Sequence, residues 1–354
     1  VLNDNQLTYG VAGHHPTQGL DPSWIELAGV HVAVDSLYNR GSDLALRIRQ
    51  LAFRERCGLE VEQTRGRFSM DSTAIRLTDF SLATAASRLT ANMEAGGGLL
   101  RMEPQTPLTA SLGADLATND VARLVPALLP AALRNRQIGM ELTADGTLED
   151  LRRIDLQITS PDHLWLTVDG RARYPLDPRH LTASARIRGR LRNGAFLLET
   201  VPDTALRRRL ALPRQIGIDA TARIDSQNYV LSSLLRAGQG RREEGRIHID
   251  GRFDARHERY EAAIRADSFP MGSFLPADSL GRLGLALDAR GKGFDPYNPA
   301  TWSRLQLEVA QAEYRSRDFG GVGITAELAD QQLQGRIEDR DSALLLSLGL
   351  EGRL

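Results

Sequence analysis

The sequence predicts a mainly β protein built from antiparallel strands, and three observations carry this prediction. Apolar and polar side chains alternate with period two along most of the 354 residues, and in a strand this places the apolar set on one face. Clusters of Gly, Pro and Asp, such as Ala144-Asp145-Gly146 and Phe319-Gly320-Gly321, separate the alternating runs. The alternating runs are not separated by the long helical segments that would connect parallel strands. Antiparallel meanders are therefore expected, rather than a doubly wound parallel sheet.

The alternating runs recur from the first third of the chain to its end. Arginines fill many of the positions between the apolar ones, as in the run from Arg186 to Arg192, so that one face of each strand is apolar and the other is charged. The apolar positions that define the strands are, in chain order, Leu44, Leu46, Ile48, Ala183, Ala185, Ile187, Ile216, Ile218, Ile247, Ile249, Leu283, Leu285, Leu305, Leu307, Val322, Ile324, Leu344, Leu346 and Leu348.

Two segments depart from the period-two alternation and predict short helical interruptions. From about residue 118 to 136, leucines and valines fall at helical spacing, and Pro126 and Pro130 are expected to bend or split the helix. From about residue 203 to 212, leucines lie on both sides of the run Arg207–Arg209, and Pro213 ends the segment. The second segment is typical of a short amphipathic helix.

Composition excludes several classes of protein. Hydrophobic residues make up 42% and charged residues 25%, which favours an ordered fold. The 44 basic and 45 acidic residues nearly cancel, so no broad basic field exists for nucleic acid. Cys57 is the single cysteine, so an internal disulfide and a cysteine-rich metal site are excluded. The chain opens at Val1 with no apolar leader, and we expect it to be a piece of a longer protein.

The sequence carries no catalytic signature. The frames GxSxG, HExxH and SxxK are absent. His14-His15 lacks partners at metal-ligand spacing, and Gly291-Lys292-Gly293 lacks the frame of a phosphate-binding loop. We therefore expect a protein that is not an enzyme and that holds no cofactor and no metal.

A sheet with one apolar face has to cover that face, and the sequence leaves four arrangements open. The first is a compact sandwich, although the predicted strands outnumber those that a single sandwich normally holds. The second is a transmembrane barrel, which needs aromatic girdles, whereas aromatic residues make up only 5%. The third is an elongated sheet that curls along its length around an apolar groove. The fourth is a solenoid, which would show a tighter repeat.

Two stretches of the sequence resemble a known family. The run LGRLGLALDARGKGFDP, Leu280 to Pro296, and the segment LQLEVAQAEYRSRDFGGVGITAELADQQLQGRIEDRD that follows look like part of a TamB-type translocation and assembly module protein of the AsmA-like superfamily. The best match covers residues 268–354, and the stretch from Leu44 to Leu89 is similar to the same family. Together these segments span a little over a third of the chain.

The resemblance implies a long periplasmic protein of Gram-negative bacteria, tethered to the inner membrane by an N-terminal anchor that is absent here. It implies a curled, β-taco-like sheet with an apolar groove, so that residues 1–354 would be a fragment of one elongated β array. It also implies phospholipid transport to the outer membrane, and outer-membrane biogenesis and protein assembly beside an Omp85-type barrel partner.

The leading hypothesis is a noncatalytic groove that shields lipid acyl chains. An alternative hypothesis is a structural scaffold in outer-membrane protein assembly, whose sheet edge pairs with a client or partner strand by β-augmentation. A one-residue slip in register would exchange the two faces of a strand, so the sequence leaves the inward face open. The residues expected to line the groove are Leu44, Leu46, Ile48, Ile187, Ile216, Ile218, Ile247, Ile249, Leu285, Leu305, Leu307, Ile324, Leu346 and Leu348.

Overall fold

The computed structural model of the chain is mainly β, with 68% of residues in strands and 7% in helices, and its antiparallel sheet is not closed. This confirms the predicted fold class. The described residues are 1–97, 103–126, 134–161, 163–201, 203–239, 242–315, 317–339 and 347–353. They form two compact units, Val1–Leu176 and Asp177–Leu354. The single β array expected over residues 1–354 stays a prediction.

Strands of the first unit follow one another with few interruptions. They are β1 (Leu2–Gly10), β2 (Trp24–Arg40), β3 (Asp43–Glu55), β4 (Glu60–Met70), β5 (Ala74–Ala83), β6 (Arg88–Gly96), β7 (Pro107–Ala117), β8 (Gln137–Thr147), β9 (Asp150–Ser160) and β10 (Leu164–Arg173), with helix α1 (Thr118–Leu124) between β7 and β8. Each strand pairs antiparallel with the next one along the chain. Short turns join neighbouring strands, so this unit is the meander that the turn residues predicted.

The second unit repeats the same topology. Its strands are β11 (Thr182–Arg192), β12 (Gln215–Asp225), β13 (Asn228–Gln239), β14 (Arg242–Asp254), β15 (Arg259–Pro270), β16 (Leu280–Lys292), β17 (Trp302–Tyr314), β18 (Arg317–Asp318), β19 (Val322–Ala329), β20 (Gln332–Asp339) and β21 (Ser347–Arg353), with helix α2 (Thr204–Arg209) between β11 and β12. Strands β11 to β17 pair in chain order, and β19, β20 and β21 continue the series from β17. The short strand β18 folds back onto the end of β17.

Helix α1 begins at Thr118 as predicted but ends at Leu124, well before residue 136. Pro126 has no N–H to continue the helical hydrogen bonds, which explains the early end. Residues 134 and 135 form a turn, and residues 127–133, including Pro130, lie outside the described residues.

Helix α1 is fixed to the sheet through a buried carboxylate, Asp120. Thr84 and Ser87 donate hydroxyl hydrogen bonds of 2.6 and 2.7 Å to it, and Arg123 donates one of 2.8 Å. Burial would raise the pKa of Asp120, but these hydrogen bonds and the Arg123 charge outweigh burial and lower it. The helix is thus joined to the turn between β5 and β6 by the Thr84 and Ser87 hydrogen bonds to Asp120, while Arg123 adds a charged donor from within the helix.

Helix α2 lies inside the predicted segment 203–212. The Asp203 side chain caps it by accepting hydrogen bonds from the Ala205 and Leu206 backbone N–H groups at 2.8 and 3.1 Å. A 3-10 helix over Gly194–Thr200 precedes it, and the sequence analysis did not predict that element.

Gly291 is a position where the second unit needs a glycine. A Cβ atom there would lie 2.5 Å from the Tyr260 hydroxyl oxygen and 2.6 Å from the Trp302 carbonyl oxygen, because Tyr260 lies across Gly291 from the paired strand. Gly251 has the same kind of position on β14, but its Cβ would come no closer than 4.0 Å to the Glu261 carbonyl oxygen. The two glycines therefore form a matched pair.

We expect Gly291→Ala to lower the thermal unfolding midpoint, because the new methyl group displaces Tyr260 and crowds a carbonyl oxygen that cannot move freely. Gly251→Ala is expected to leave the midpoint unchanged or raise it, since alanine loses less chain entropy on folding. Thermal unfolding followed by circular dichroism measures both. An equal effect of the two substitutions would contradict the role given to Tyr260.

Candidate functional site

In the second unit, the register brings the apolar side chains of every strand onto one face. Residues directly opposite each other in an antiparallel pair lie on the same side of the sheet. The pairings can therefore be followed from strand to strand as a row. The central row runs from β11 to β21 through Ile187, Ala220, Ser233, Ile249, Ile264, Leu287, Leu307, Ile324, Ile337 and Leu348.

The other groove residues predicted in this unit occupy neighbouring rows of the same face. Ile218, Ile247 and Leu285 belong to one adjacent row, and Ile216 lies beyond it. Leu305 belongs to the row on the other side of the centre. Leu346 lies outside the described residues. All described members of the predicted set thus share one surface, which we call the apolar face of the second unit.

The first unit has an apolar face of its own. Leu46 is opposite Phe68, and the row continues through Leu77, Met93, Ala110, Ala144 and Ile154. Leu44 and Ile48 lie in the flanking rows, where Leu44 is opposite Met70 and Ile48 is opposite Gly66. The three residues predicted here therefore lie on one face as well.

Little of the chain covers these faces. The predicted residues are half-buried, and Leu348 is 52% exposed. A compact protein of this size would expose ~14,000 Å², and two separate compact halves would together expose ~17,000 Å². The chain exposes 22,697 Å². This area is larger than either value, and the partial exposure of the predicted residues shows that part of the exposed surface belongs to the apolar faces.

Two segments are inserted between strands at one margin of the apolar face of the second unit, and we call them the two inserts. One is the segment with helix α2 between β11 and β12, and the other is the segment 271–279 between β15 and β16. Phe269, Ala237 and Ala266 form a buried cluster, and Met271 and Phe274 pack against it. The Phe269 and Phe274 rings stack with centroids 5.0 Å apart. We call this the capped margin.

A backbone bond and an ion pair join the two inserts that build the capped margin. The Ala211 N–H donates to the Phe274 carbonyl oxygen at 2.8 Å. The Arg209 guanidinium donates to both carboxylate oxygens of Asp278 at 2.9 and 2.8 Å. The segment predicted as an amphipathic helix therefore supports the capped margin through contacts with residues distant in sequence.

The opposite margin is aromatic and open. Tyr229, Phe253 and Tyr260 are opposite one another on β13, β14 and β15, and Phe294 joins them from the turn after β16. Ring centroids lie 6.2 Å apart for Tyr229 and Phe253, and 5.4 Å apart for Tyr260 and Phe294. Phe294 is 67% exposed and Tyr229 is 44% exposed. The sequence analysis missed this aromatic margin, although its members fall at strand ends beside turn residues.

The opposite face of the second unit is polar, and several of its arginines have acidic partners on neighbouring strands. Arg246 pairs with Asp267 at 2.8 Å, and Arg265 pairs with Asp288 at 2.7 Å. These pairs are exposed, so each contributes at most about 1 kcal/mol to stability. The two faces therefore differ in chemistry along every strand.

His14 takes part in a hydrogen-bonded turn around Asp21. Its Nε2 lies 2.7 Å from the Asp21 carboxylate, which also accepts the backbone N–H groups of Thr17 at 2.8 Å and Ser23 at 3.0 Å. The His14 hydrogen bond first, and then the backbone donors, hold the pKa of Asp21 well below its ordinary value, although burial opposes them. Asp21 is 4% exposed, so the turn closes around it.

Two kinds of feature are absent from the described residues. Within the described ranges, no three His, Cys, Asp or Glu side chains come together in a way that could hold a metal ion. In the same part of the chain, no helix has the length and apolar character to cross a membrane.

Comparisons with known proteins gave no relative. No protein-family model matches the chain, and neither the curated proteins nor the solved structures include a significant match.

We expect Asp21→Asn to lower the thermal unfolding midpoint at pH 7, because the amide cannot replace a charged acceptor that takes hydrogen bonds from three residues. A carboxyl with a depressed folded-state pKa stabilises the fold above its unfolded pKa of about 3.9, and that contribution is lost as pH falls. The difference between wild type and variant should therefore be present at pH 5 and narrow as pH falls below about 4. Unfolding midpoints measured across this range test it, and a difference that stays constant at low pH would contradict it.

Proposed function

We propose that the apolar face of the second unit is a noncatalytic surface that shields lipid acyl chains while their head groups stay in solvent. The observation that carries the proposal is the set of apolar rows that cross the unit from β11 to β21, most of whose members are half-buried or exposed, although Ala220 and Ser233 of the central row are buried. Soluble proteins rarely leave apolar patches above a few hundred Å² exposed unless the patch binds something. The central row alone crosses ten strands at about 4.8 Å each, roughly 40 Å in total.

The chemistry of the face suits acyl chains better than a ligand with polar groups. The central row carries one hydroxyl, that of Ser233, among aliphatic side chains. Each methylene buried there would contribute about 0.8 kcal/mol, without a hydrogen bond to select one lipid over another. Many such contacts together hold an acyl chain, but each single contact is weak. A lipid can therefore move from one strand to the next along the rows.

The width of the face also fits one acyl chain. The stretch of β14 from Ile247, beside the capped margin, to Phe253, in the aromatic margin, spans about 20 Å at 3.3 Å per residue. The hydrocarbon part of one bilayer leaflet is about 15 Å thick, half of the bilayer core. An acyl chain laid along the strands would thus end near Phe274 and leave its head group at the open side.

The aromatic margin suits the region where the acyl chain meets its head group. Tyrosine combines an apolar ring with a polar hydroxyl and is enriched where hydrocarbon meets water. Tyr229 and Tyr260 lie at the aromatic margin, whereas packed side chains close the capped margin on the other side of the face. We therefore assign the head groups to the aromatic margin.

The cellular setting of the proposal comes from the family resemblance. In that setting the chain would work in the periplasm as part of a TamB-like protein tethered to the inner membrane. It would support phospholipid transport to the outer membrane and outer-membrane biogenesis, with an Omp85-type barrel as partner.

A second candidate function is a scaffold that pairs with another strand by β-augmentation. The first strand favours it: all nine residues of β1 are exposed, and among the described pairings β1 is joined only to β2. An edge of this kind offers backbone N–H and C=O groups to a partner strand. Lipid binding distinguishes the two functions, because β-augmentation does not need the apolar rows.

We expect the purified protein to carry phospholipid and Leu307→Asp to lose most of it, because a carboxylate in the central row opposes the burial of acyl chains. Native mass spectrometry combined with lipid extraction measures the bound lipid. Thr325→Asp is the matched control, since Thr325 lies on the polar face of the paired strand β19, next to Ile324, which is opposite Leu307. It adds the same charge and is expected to keep the lipid.

Circular dichroism should show both variants folded, since residues 307 and 325 both lie on a sheet surface with partial or full exposure. Loss of lipid in both variants would contradict the assignment of the lipid to this face. A soluble protein that carries no lipid and takes up none from vesicles would exclude the proposal and favour the scaffold.

A further inference from the structure

We propose that the polar face of the second unit carries a separate site for a phosphate group. The site is a depression of about 770 Å³ over strands β13 to β17, and an adjoining depression of about 580 Å³ extends it toward the strand ends. Arg252, Glu261, Arg290 and Arg304 line both depressions, and Arg259 lines the second. We call this the basic depression.

The register places like charges opposite each other here. Arg290 on β16 is directly opposite Arg304 on β17, and Arg259 on β15 is directly opposite Lys292 on β16. Such residues lie about 5 Å apart at their Cα atoms, and like charges in this position destabilise a sheet. A bound anion would relieve the repulsion of both pairs.

Most of these cations have no partner of their own. Arg304 donates to Glu327 at 2.7 Å. In contrast, Arg252, Arg259 and Arg290 make no side-chain hydrogen bond or ion pair with any other residue that the structure describes. In the register, Glu261 is opposite both Arg252 and Arg290, and Asp254 is opposite Arg259. Three guanidinium groups without such a partner among the described residues thus lie beside two carboxylates.

The other acids that line the depressions are already engaged. Asp288 accepts from Arg265 at 2.7 Å, and Glu327 accepts from Arg304. Asp254 lies 2.7 Å from the His257 ring, and Asp250 lies 3.6 Å from the His248 ring. Over strands β14 to β19, the two rows that hold the like-charge pairs contain five cations and three carboxylates, those of Asp254, Glu261 and Glu327. The charge of these two rows is therefore positive, although the chain as a whole has a formal net charge of -1.

Guanidinium groups favour a phosphate as the ligand. The planar fork of arginine donates two parallel hydrogen bonds to phosphate oxygens, and several arginines together can surround one phosphate. Trp302, 41% exposed at the end of the second depression, offers an apolar surface to whatever carries the phosphate. The inference does not depend on the lipid function, because the basic depression and the apolar rows lie on opposite faces of the same strands.

The test measures binding of inorganic phosphate and pyrophosphate to the whole chain by isothermal titration calorimetry at low ionic strength. We expect saturable binding, and Arg252→Gln and Arg290→Gln are each expected to weaken it at least tenfold. Arg246→Gln is the matched control: Arg246 lies on the same strand and face as Arg252, but it is paired with Asp267 outside the depression. The control is expected to change the affinity by less than twofold.

Vesicles distinguish the two sources of the phosphate group. Phosphatidylglycerol vesicles and phosphatidylcholine vesicles are compared in a sedimentation assay with the same variants. Loss of phosphatidylglycerol binding in Arg252→Gln, but not in Arg246→Gln, would assign the site to a lipid head group. Arginine-dependent binding of pyrophosphate alone would assign it to a soluble phosphate compound.

The proposal is overturned if no saturable binding occurs up to about 10 mM pyrophosphate and vesicle binding does not depend on Arg252 or Arg290. An equal loss in Arg246→Gln would also overturn it, since the effect would then come from general surface charge. Thermal unfolding of all three variants checks that each is folded. Gln at these exposed positions is expected to leave the unfolding midpoint close to that of the wild type.

Discussion

The structure depends on one constraint: apolar residues must remain opposite apolar residues through a long series of antiparallel pairs. A slip of one residue at any pair would exchange the faces of every strand that follows. Two β-bulges show how the chain keeps its apolar residues on one face of the sheet. Between Ala266 and Phe269 on β15, the chain uses one residue more than β16 does, and Ser268 takes a positive φ of 44°. The extra residue returns Phe269 to the apolar face, opposite Leu283.

The first unit uses the same device. Leu77 is opposite Met93 and Phe80 is opposite Ala91, so three residues on β5 correspond to two on β6. Asp79 has a φ of 52° at this point. In the sequence, both bulges appear as an apolar spacing of three within a run of period two. The irregularity therefore preserves the apolar face instead of interrupting it.

The sequence was sufficient to predict the strands because period two is a local signal, and nearly every strand of these units shows it. It was also sufficient to place residues such as Ile187 and Leu307 on an apolar face, because alternation fixes which residues share a side of one strand. The sequence could not show which residues of neighbouring strands lie opposite each other, since the register between strands depends on turn lengths and bulges. Helix α1 ended early because Pro126 outweighs the leucine spacing that follows it.

The margins of the apolar face were beyond sequence analysis for a different reason. The capped margin depends on contact between Ala211 and Phe274, which come from separate inserts, and no local pattern indicates that they meet. The aromatic margin depends on Tyr229, Phe253 and Tyr260 being opposite one another across three strands. Both features follow from long-range pairing, whereas composition and periodicity report only what lies within one strand.

The open sheet also explains how one strand can serve two kinds of chemistry. In a sandwich, residues such as Leu287 and Ala289 would lie in a closed core, and only Asp288 and Arg290 would reach solvent. Here Leu287 and Ala289 are half-buried, while Asp288 and Arg290 on the other face of β16 are exposed. Stability then comes mainly from the backbone ladders and from contacts between neighbouring side chains, not from a core shared by two layers. Each face can consequently change its side chains without disturbing the other, which lets an apolar surface and a charged one evolve on the same strands.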